Sequence, residues 1–185
     1  MPRRFLISDF IFYGPNRAHI PQPSGSHFTP DLVFSSAIRF REQKNRDNGQ
    51  VVPFAPNTVD TDMCPVRAML RIRARAQRLG VSFNAPIAVA KPSNKVVNLH
   101  ERQINSHIRR AAKRVYGITD RRKLARFTTH STRVGAAVHL HLAGKDGLFI
   151  KTRLRWRSDS ILLYLRNVME LAEQHATAVA ATVFT

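Results

Sequence analysis

The chain places its strand-like segments first and its helix-like segments after them, and that order limits the folds open to it. Residues 4–13 (Arg-Phe-Leu-Ile-Ser-Asp-Phe-Ile-Phe-Tyr) are rich in β-branched and aromatic side chains, which predicts a strand. Gly14-Pro15-Asn16 ends it. Residues 15–30 are dense in proline, with Gly25 among them, and read as a surface loop. Residues 32–42 alternate loosely and predict a second strand. Asn48-Gly49 is a hairpin signal, because both positions tolerate positive φ; it leads into Val51-Val52-Pro53-Phe54. Pro53 has no N–H to give a ladder, so this return strand is short or lies at an edge. Lys44 then stands at the mouth of the hairpin.

After a linker at residues 55–63 the pattern turns helical. Pro65 opens a helix at a position where its missing N–H costs nothing, and Gly80 closes it after Leu79. Val66, Met69, Leu70, Ile72 and Ala76 form the apolar face; Arg67, Arg71, Arg73, Arg75 and Arg78 supply much of the rest. A short strand pair is expected around Ile87–Val89 and Lys95–Val97. Asn98-Leu99-His100-Glu101 has the form of a capping box and predicts a helix to Tyr116, stopped by Gly117. Its buried stripe is Ile104, Ile108, Ala111, Ala112 and Val115. Further helices are expected from Thr129 to Ala143, over 146–153, and from Asp159 to His175 behind a Ser158 cap. The predicted fold class is mainly α with a small antiparallel β-sheet to one side. A length of 185 residues and a hydrophobic content of 43% suit one domain, 1–185, with a real core.

Charge bounds the partners. The formal net charge is +18, and 23 of the 30 basic residues are Arg. Such a surface attracts polyanions, and a guanidinium grips phosphate bidentately; base-composition bias, which also inflates Arg, is the bland alternative. The basic residues also cluster: Arg67 and Arg71 on one helix, Arg109, Arg110, Lys113 and Arg114 on another, and Arg121 and Arg122 after it. They are the candidate DNA contacts, weighed against ordinary solvated faces. A single cysteine, Cys64, permits no disulfide framework and no Cys-rich zinc site. It fits a reducing intracellular compartment. No apolar run reaches the ~20 residues of a membrane span, and Asp9 interrupts the N-terminus too early for a signal peptide. No metal constellation and no phosphate-binding glycine loop is evident.

The chemistry concentrates in Thr129-His130-Ser131-Thr132-Arg133-Val134-Gly135-Ala136-Ala137 and in Trp156-Arg157-Ser158-Asp159-Ser160-Ile161-Leu162-Leu163-Tyr164. His130 and Arg133, three apart, share one helical face. His-x-x-Arg alone is weak: His107 and Arg110 repeat it on an ordinary basic face. The first copy is set apart by the small-residue patch after it and by the Trp and Tyr that follow.

His-x-x-Arg, the Gly-Ala-Ala patch and a Tyr near the start of a late helix together resemble the catalytic box of the tyrosine recombinases, the phage-integrase family. The Trp-x-Ser-Asp-x-x-x-x-Tyr-Leu-Arg end is similar to integrase-like proteins of eukaryotic mobile elements of the DIRS and Crypton types. The Gln43-Lys44-Asn45 hairpin and the Cys64-Pro65-Val66-Arg67-Ala68 helix start look similar to the same group. The resemblance covers about residues 35–168. It implies a recombinase catalytic-domain fold acting on double-stranded DNA, with no cofactor. Tyr164 would be the nucleophile, Arg133 a phosphate clamp, His130 an acid–base helper, Trp156 the indole N–H donor at a position that is His or Trp in the family, and Lys44 the general acid. The expected reaction is DNA breaking and rejoining through a 3′-phosphotyrosyl bond. Nuclear location follows only from the eukaryotic resemblance, and self-association on DNA stays open.

The family also uses an earlier Arg, usually near an Arg-x-x-Glu on a helix. Arg39-Phe40-Arg41-Glu42 matches those letters but falls in a predicted strand. The chain therefore reads as a catalytic domain truncated at its N-terminus, without the usual DNA-clamping domain, and feeble or inactive as a recombinase. A non-catalytic DNA-binding relic of a mobile element is the main alternative, and an unrelated RNA- or ribosome-associated basic protein is the third. A Tyr164 buried among Ile161, Leu165 and Val168, remote from Arg133, would remove the first reading.

Overall fold

A computed structural model of the chain describes residues 4–21, 30–42, 48–156 and 158–165, together with 173, 176, 177 and 179. The fold is mixed, a small antiparallel sheet with helices. The sequence reads as one domain, 1–185; packing gathers it into two compact units, Met1–Leu99 and His100–Thr185.

The first unit is built on a four-stranded sheet in the order β2-β1-β3-β4, all neighbours antiparallel. Strand β1 is Phe10–Tyr13, β2 is His19–Ile20, β3 is Ser35–Phe40 and β4 is Gln50–Phe54. The first predicted strand is shorter than its composition suggested. Ile7–Asp9 coil into a 3-10 turn, and residues 5–8 hydrogen-bond with 83–87 instead. The proline-rich loop hides the two-residue β2. The hairpin expectation holds: Phe40 pairs with Gln50, and Gly49, at φ +83°, donates its N–H to the Phe40 carbonyl at 2.7 Å. Pro53 sits in β4, an edge strand, as its missing donor requires.

Helix α1, Pro65–Arg78, covers the sheet. Phe10, Phe12 and Met69 are buried together, with Ile20, Val33, Ile38, Phe54, Leu70, Ile72 and Ile87 around them. Arg73 departs from the expected polar face and is 4% exposed. Helical spacing explains this, because it shares a face with Val66, Met69 and Ala76. Burial lowers its guanidinium pKa. Asp9 is also buried. Its carboxylate pairs with Arg41 through Nε at 2.7 Å and Nη2 at 3.1 Å, and accepts the Leu6 N–H at 2.7 Å. Strands β5, Val89–Ala90, and β6, Val97–Asn98, form the small expected pair, displaced by one or two residues.

The second unit is helical: α2 Glu101–Tyr116, α3 Arg121–Ala125, α4 Thr129–Leu142, α5 Gly147–Leu154 and α6 Ile161–Leu165. The N-cap of α2 is His100, not Asn98; its N–H is accepted by Gln103 Oε1 at 2.8 Å, so the box closes two residues later than predicted. Gly117, at φ +64°, ends α2. The predicted buried stripe is only partly covered. Ala112 is buried, whereas Ala111 and Val115 are exposed, because the partners α3 and α4 lie on the Ala112 side. Asp120 caps α3 and Asp146 caps α5. The core is Ala137, Ile150, Ile161 and Leu165, with Val138, Leu140, Leu154 and Trp156 packed against it. Helix α6 begins at Ile161, two residues past the predicted start, since 158–160 form a bend and turn. Most of residues 166–175, the predicted remainder of that helix, lies outside the described residues.

Candidate functional site

The small residues of α4 decide where its polar groups go. Ala137 is fully buried where α4 meets α5 and α6, so α4 lies close to both neighbours. His130 and Arg133, in the first turns of the same helix, are exposed. That first turn is fixed from several sides. Thr128 N–H donates to Ser131 Oγ at 2.9 Å, Ser131 Oγ donates to the Arg126 carbonyl at 2.5 Å, and Thr129 N–H donates to Asn105 Oδ1 at 2.8 Å. Thr129 Oγ1 donates to Glu101 Oε1 at 3.0 Å. Two anchors therefore come from α2 and hold the turn that carries His130.

Helix α6 supplies the second half. Ile161 and Leu165, four apart, are buried, so Tyr164 between them turns outward and keeps 38% of its surface exposed. It is not the core tyrosine that its apolar neighbours permitted. Its Oη lies 3.2 Å from His130 Nε2, and the two rings meet edge to face at 5.9 Å. Trp156 fills the space behind them, 5.6 Å from the Tyr164 ring and 6.5 Å from the His130 ring. Arg133 lays its guanidinium 4.9 Å from the centre of the indole, a cation–π contact. Arg133 Nη2 also donates to the Leu154 and Arg155 carbonyls, at 2.8 and 3.0 Å. These carbonyls lie at the C-terminal end of α5, where Arg155 takes the left-handed conformation at φ +58° and turns the chain toward Trp156.

The four residues that the resemblance singles out, His130, Arg133, Trp156 and Tyr164, thus form one cluster on the second unit. The cluster can do two things chemically. A phenol hydroxyl and an imidazole nitrogen within hydrogen-bond reach make a nucleophile–base pair. A guanidinium beside them can neutralise an anion, with its Nε and Nη1 hydrogens unused among the described residues. The indole N–H of Trp156 is buried and, among the described residues, has no acceptor. A buried donor left open is costly, and an oxygen-rich ligand beside the cluster is one way to satisfy it.

Lys44 lies outside the described residues. Arg39 and Arg41 are on and just after β3, in the first unit, and Arg41 is paired with Asp9; the strand prediction that set Arg39-Phe-Arg-Glu42 aside agrees with this placement.

The predicted DNA contacts divide by what they already touch. Arg67 is exposed on α1, while Arg71 pairs with Asp62 at 3.1 Å across an open surface, an ion pair of little strength. Arg109 is used internally: its Nε donates to the Phe127 carbonyl at 3.2 Å and its Nη2 to Ala125 at 3.4 Å. Arg110, Lys113, Arg114, Arg121 and Arg122 are exposed. Sequence spacing had not separated Arg109 from its neighbours, since only the fold brings the 125–127 connection against it. Among the described residues, no three His, Cys, Asp or Glu side chains group as metal ligands, and no helix is long and apolar enough to cross a membrane. No family model, no curated protein and no solved structure matches the chain.

Proposed function

We propose that the cluster on the second unit acts on a DNA phosphodiester in the manner of the tyrosine recombinases that the sequence resembles. The observation that carries this reading is the 3.2 Å approach of His130 Nε2 to Tyr164 Oη beside Arg133 and Trp156. Tyr164 Oη attacks phosphorus and passes its proton to His130 Nε2. An Oη–P bond forms, and the bond from phosphorus to the 5′ oxygen breaks. Arg133 neutralises the non-bridging oxygens as charge builds; the resemblance gives the Trp156 N–H to one of them, which requires the indole to shift, because its nitrogen is closed off here. The departing oxygen takes a proton from a general acid; the resemblance assigns that role to Lys44. Attack by a 5′-hydroxyl on the phosphotyrosine reverses the sequence and rejoins a strand. The exposed cations of α2 and α3 hold the backbone, so binding weakens steeply with salt.

A nicked duplex, from which the short 5′ product escapes, tests this. The intact protein should accumulate a denaturant-resistant protein–DNA adduct, and Tyr164→Phe should abolish it. His130→Ala should slow adduct formation by about 10²- to 10⁴-fold. An adduct that survives Tyr164→Phe removes Tyr164 as the nucleophile.

A second reading, DNA binding without chemistry, is favoured by Arg133. Its Nη2 is committed to two carbonyls, and it is the one arginine that the resemblance assigns to the cluster. One clamp gives less stabilisation of a phosphorane-like transition state than two. Salt-sensitive binding with no adduct would select this reading.

A further inference from the structure

We propose that Tyr116, at the C-terminal end of α2, is a stacking platform for an unpaired nucleobase whose flanking phosphates rest on the neighbouring cations. Tyr116 is 69% exposed and Val115 beside it 72%, an unusual outlay of apolar surface at a helix end. The ring is nonetheless held in place. It stacks on Phe127 with centroids 6.1 Å apart and planes inclined by 29°. Phe127 is tied to α2 by Arg109, whose Nε donates to its carbonyl. Gly117 turns the chain away immediately after the ring. The result is a flat aromatic surface, backed on one side and open to solvent.

The charges around it fit a nucleotide strand. Lys113 lies one turn back on the same helical face, and Arg126 precedes Phe127; both are exposed. Glu101 and Asp120 are the two acidic residues between positions 100 and 128. Both are occupied: Glu101 accepts from Thr129, and Asp120 accepts the N–H groups of Arg122 and Lys123. A paired base shows a protein its edge, whereas an unpaired one shows its face. An exposed ring set among cations therefore matches an unpaired base and its phosphates better than an intact duplex.

The test uses the full chain and a short duplex carrying 2-aminopurine, either paired or opposite a gap, in deoxyribo and ribo versions to tell which strand is preferred. Stacking should quench the probe in the gapped form. Tyr116→Ala should weaken gapped binding on the order of tenfold, leaving paired binding and the salt slope unchanged, while Tyr116→Phe should bind as the parent does. Lys113→Ala should weaken both forms and flatten the salt slope by about one. Equal losses for gapped and paired forms in Tyr116→Ala, or no loss in either, would overturn the proposal. Trp156 fluorescence, read in each variant, separates a folding defect from a binding one. The readout is binding rather than cleavage, so it stands or falls apart from the chemistry proposed for Tyr164.

Discussion

The two units treat the same kinds of side chain in opposite ways. In the first, the core is aromatic, with Phe10 and Phe12 buried under α1, although Phe34 stands 61% exposed. Some of its charge is spent on structure, with Asp9 sealed by Arg41 and Arg73 drawn into the apolar face, while Arg67, Arg71, Arg75 and Arg78 of α1 stay exposed. In the second, the core is made of Ala, Ile and Leu, and aromatic rings stand at the surface in company with cations. The phenols of Tyr116 and Tyr164 and the imidazole of His130 all reach solvent. A half-buried ion pair and an exposed ring cluster cost stability in different ways, the one through desolvation of Asp9 and the other through uncovered apolar area. The first unit's arrangement fits a scaffold and the second's a reactive surface.

Core truncations should break the comparison first if it is wrong. Phe12→Ala removes a fully buried ring and should cost about 3–5 kcal/mol. Ile161→Ala removes a smaller buried side chain and should cost about 2–4 kcal/mol. Trp156 is the chain's one tryptophan and packs on the Ile161 cluster. Its fluorescence therefore follows the second unit, while far-UV circular dichroism follows both. If Ile161→Ala left the Trp156 transition in place, the second unit's core would be misassigned.

A smaller effect sharpens the contrast between charge as structure and charge as chemistry. Asp9→Ala strands the Leu6 N–H and one face of Arg41. Arg41 is partly exposed and can rehydrate, so the loss should be about 2–3 kcal/mol in urea unfolding. His130→Ala removes an exposed side chain and should cost under about 1 kcal/mol, although it disables the proposed chemistry. Comparable destabilisation by the two would show His130 to be a structural residue.

Local signals were the most legible in the sequence. Glycines 80, 117 and 144 take positive φ just past helix ends, and Pro53 marked an edge strand, because each acts through its own backbone. Spacing placed His130 and Arg133 on one helical face; the resemblance added Trp156 and Tyr164, and the packing of α4 against α6 around Ala137 brings the four together. What escaped depended on partners distant in sequence. Nothing near Asp9 announces Arg41, and nothing near Arg109 announces the Phe127 carbonyl. Val115 read as buried because helical periodicity names a face without saying how far its cover extends. Asn98 looked like a cap by its letters, but Val97–Asn98 is taken up in the pair with Val89–Ala90, and the helix starts after it.

The smallest prediction concerns Cys64, where the first unit again spends an ionisable group on structure. The thiol is buried at the start of α1, and Asn57 donates its N–H to Sγ at 3.3 Å. The backbone amide of Arg67 is the largest influence and lowers the thiol pKa; burial opposes it, and the amides of Asn57 and Val66 add to the lowering. A thiolate is thus more stable in the folded chain than in the unfolded one, whose thiol keeps an ordinary value near 9.0. The sign follows from linkage. The contribution is absent below the folded pKa, grows as pH rises between the two values, and is complete above the unfolded one. Cys64→Ser keeps a hydrogen-bonding group but does not titrate in this range. The urea midpoint of the parent, relative to that of Cys64→Ser, should therefore rise as pH approaches and passes 9.0. The other ionisable groups are common to both proteins and cancel in the difference. A difference that is flat with pH, or that falls, would mean the amides at the start of α1 do not hold a thiolate.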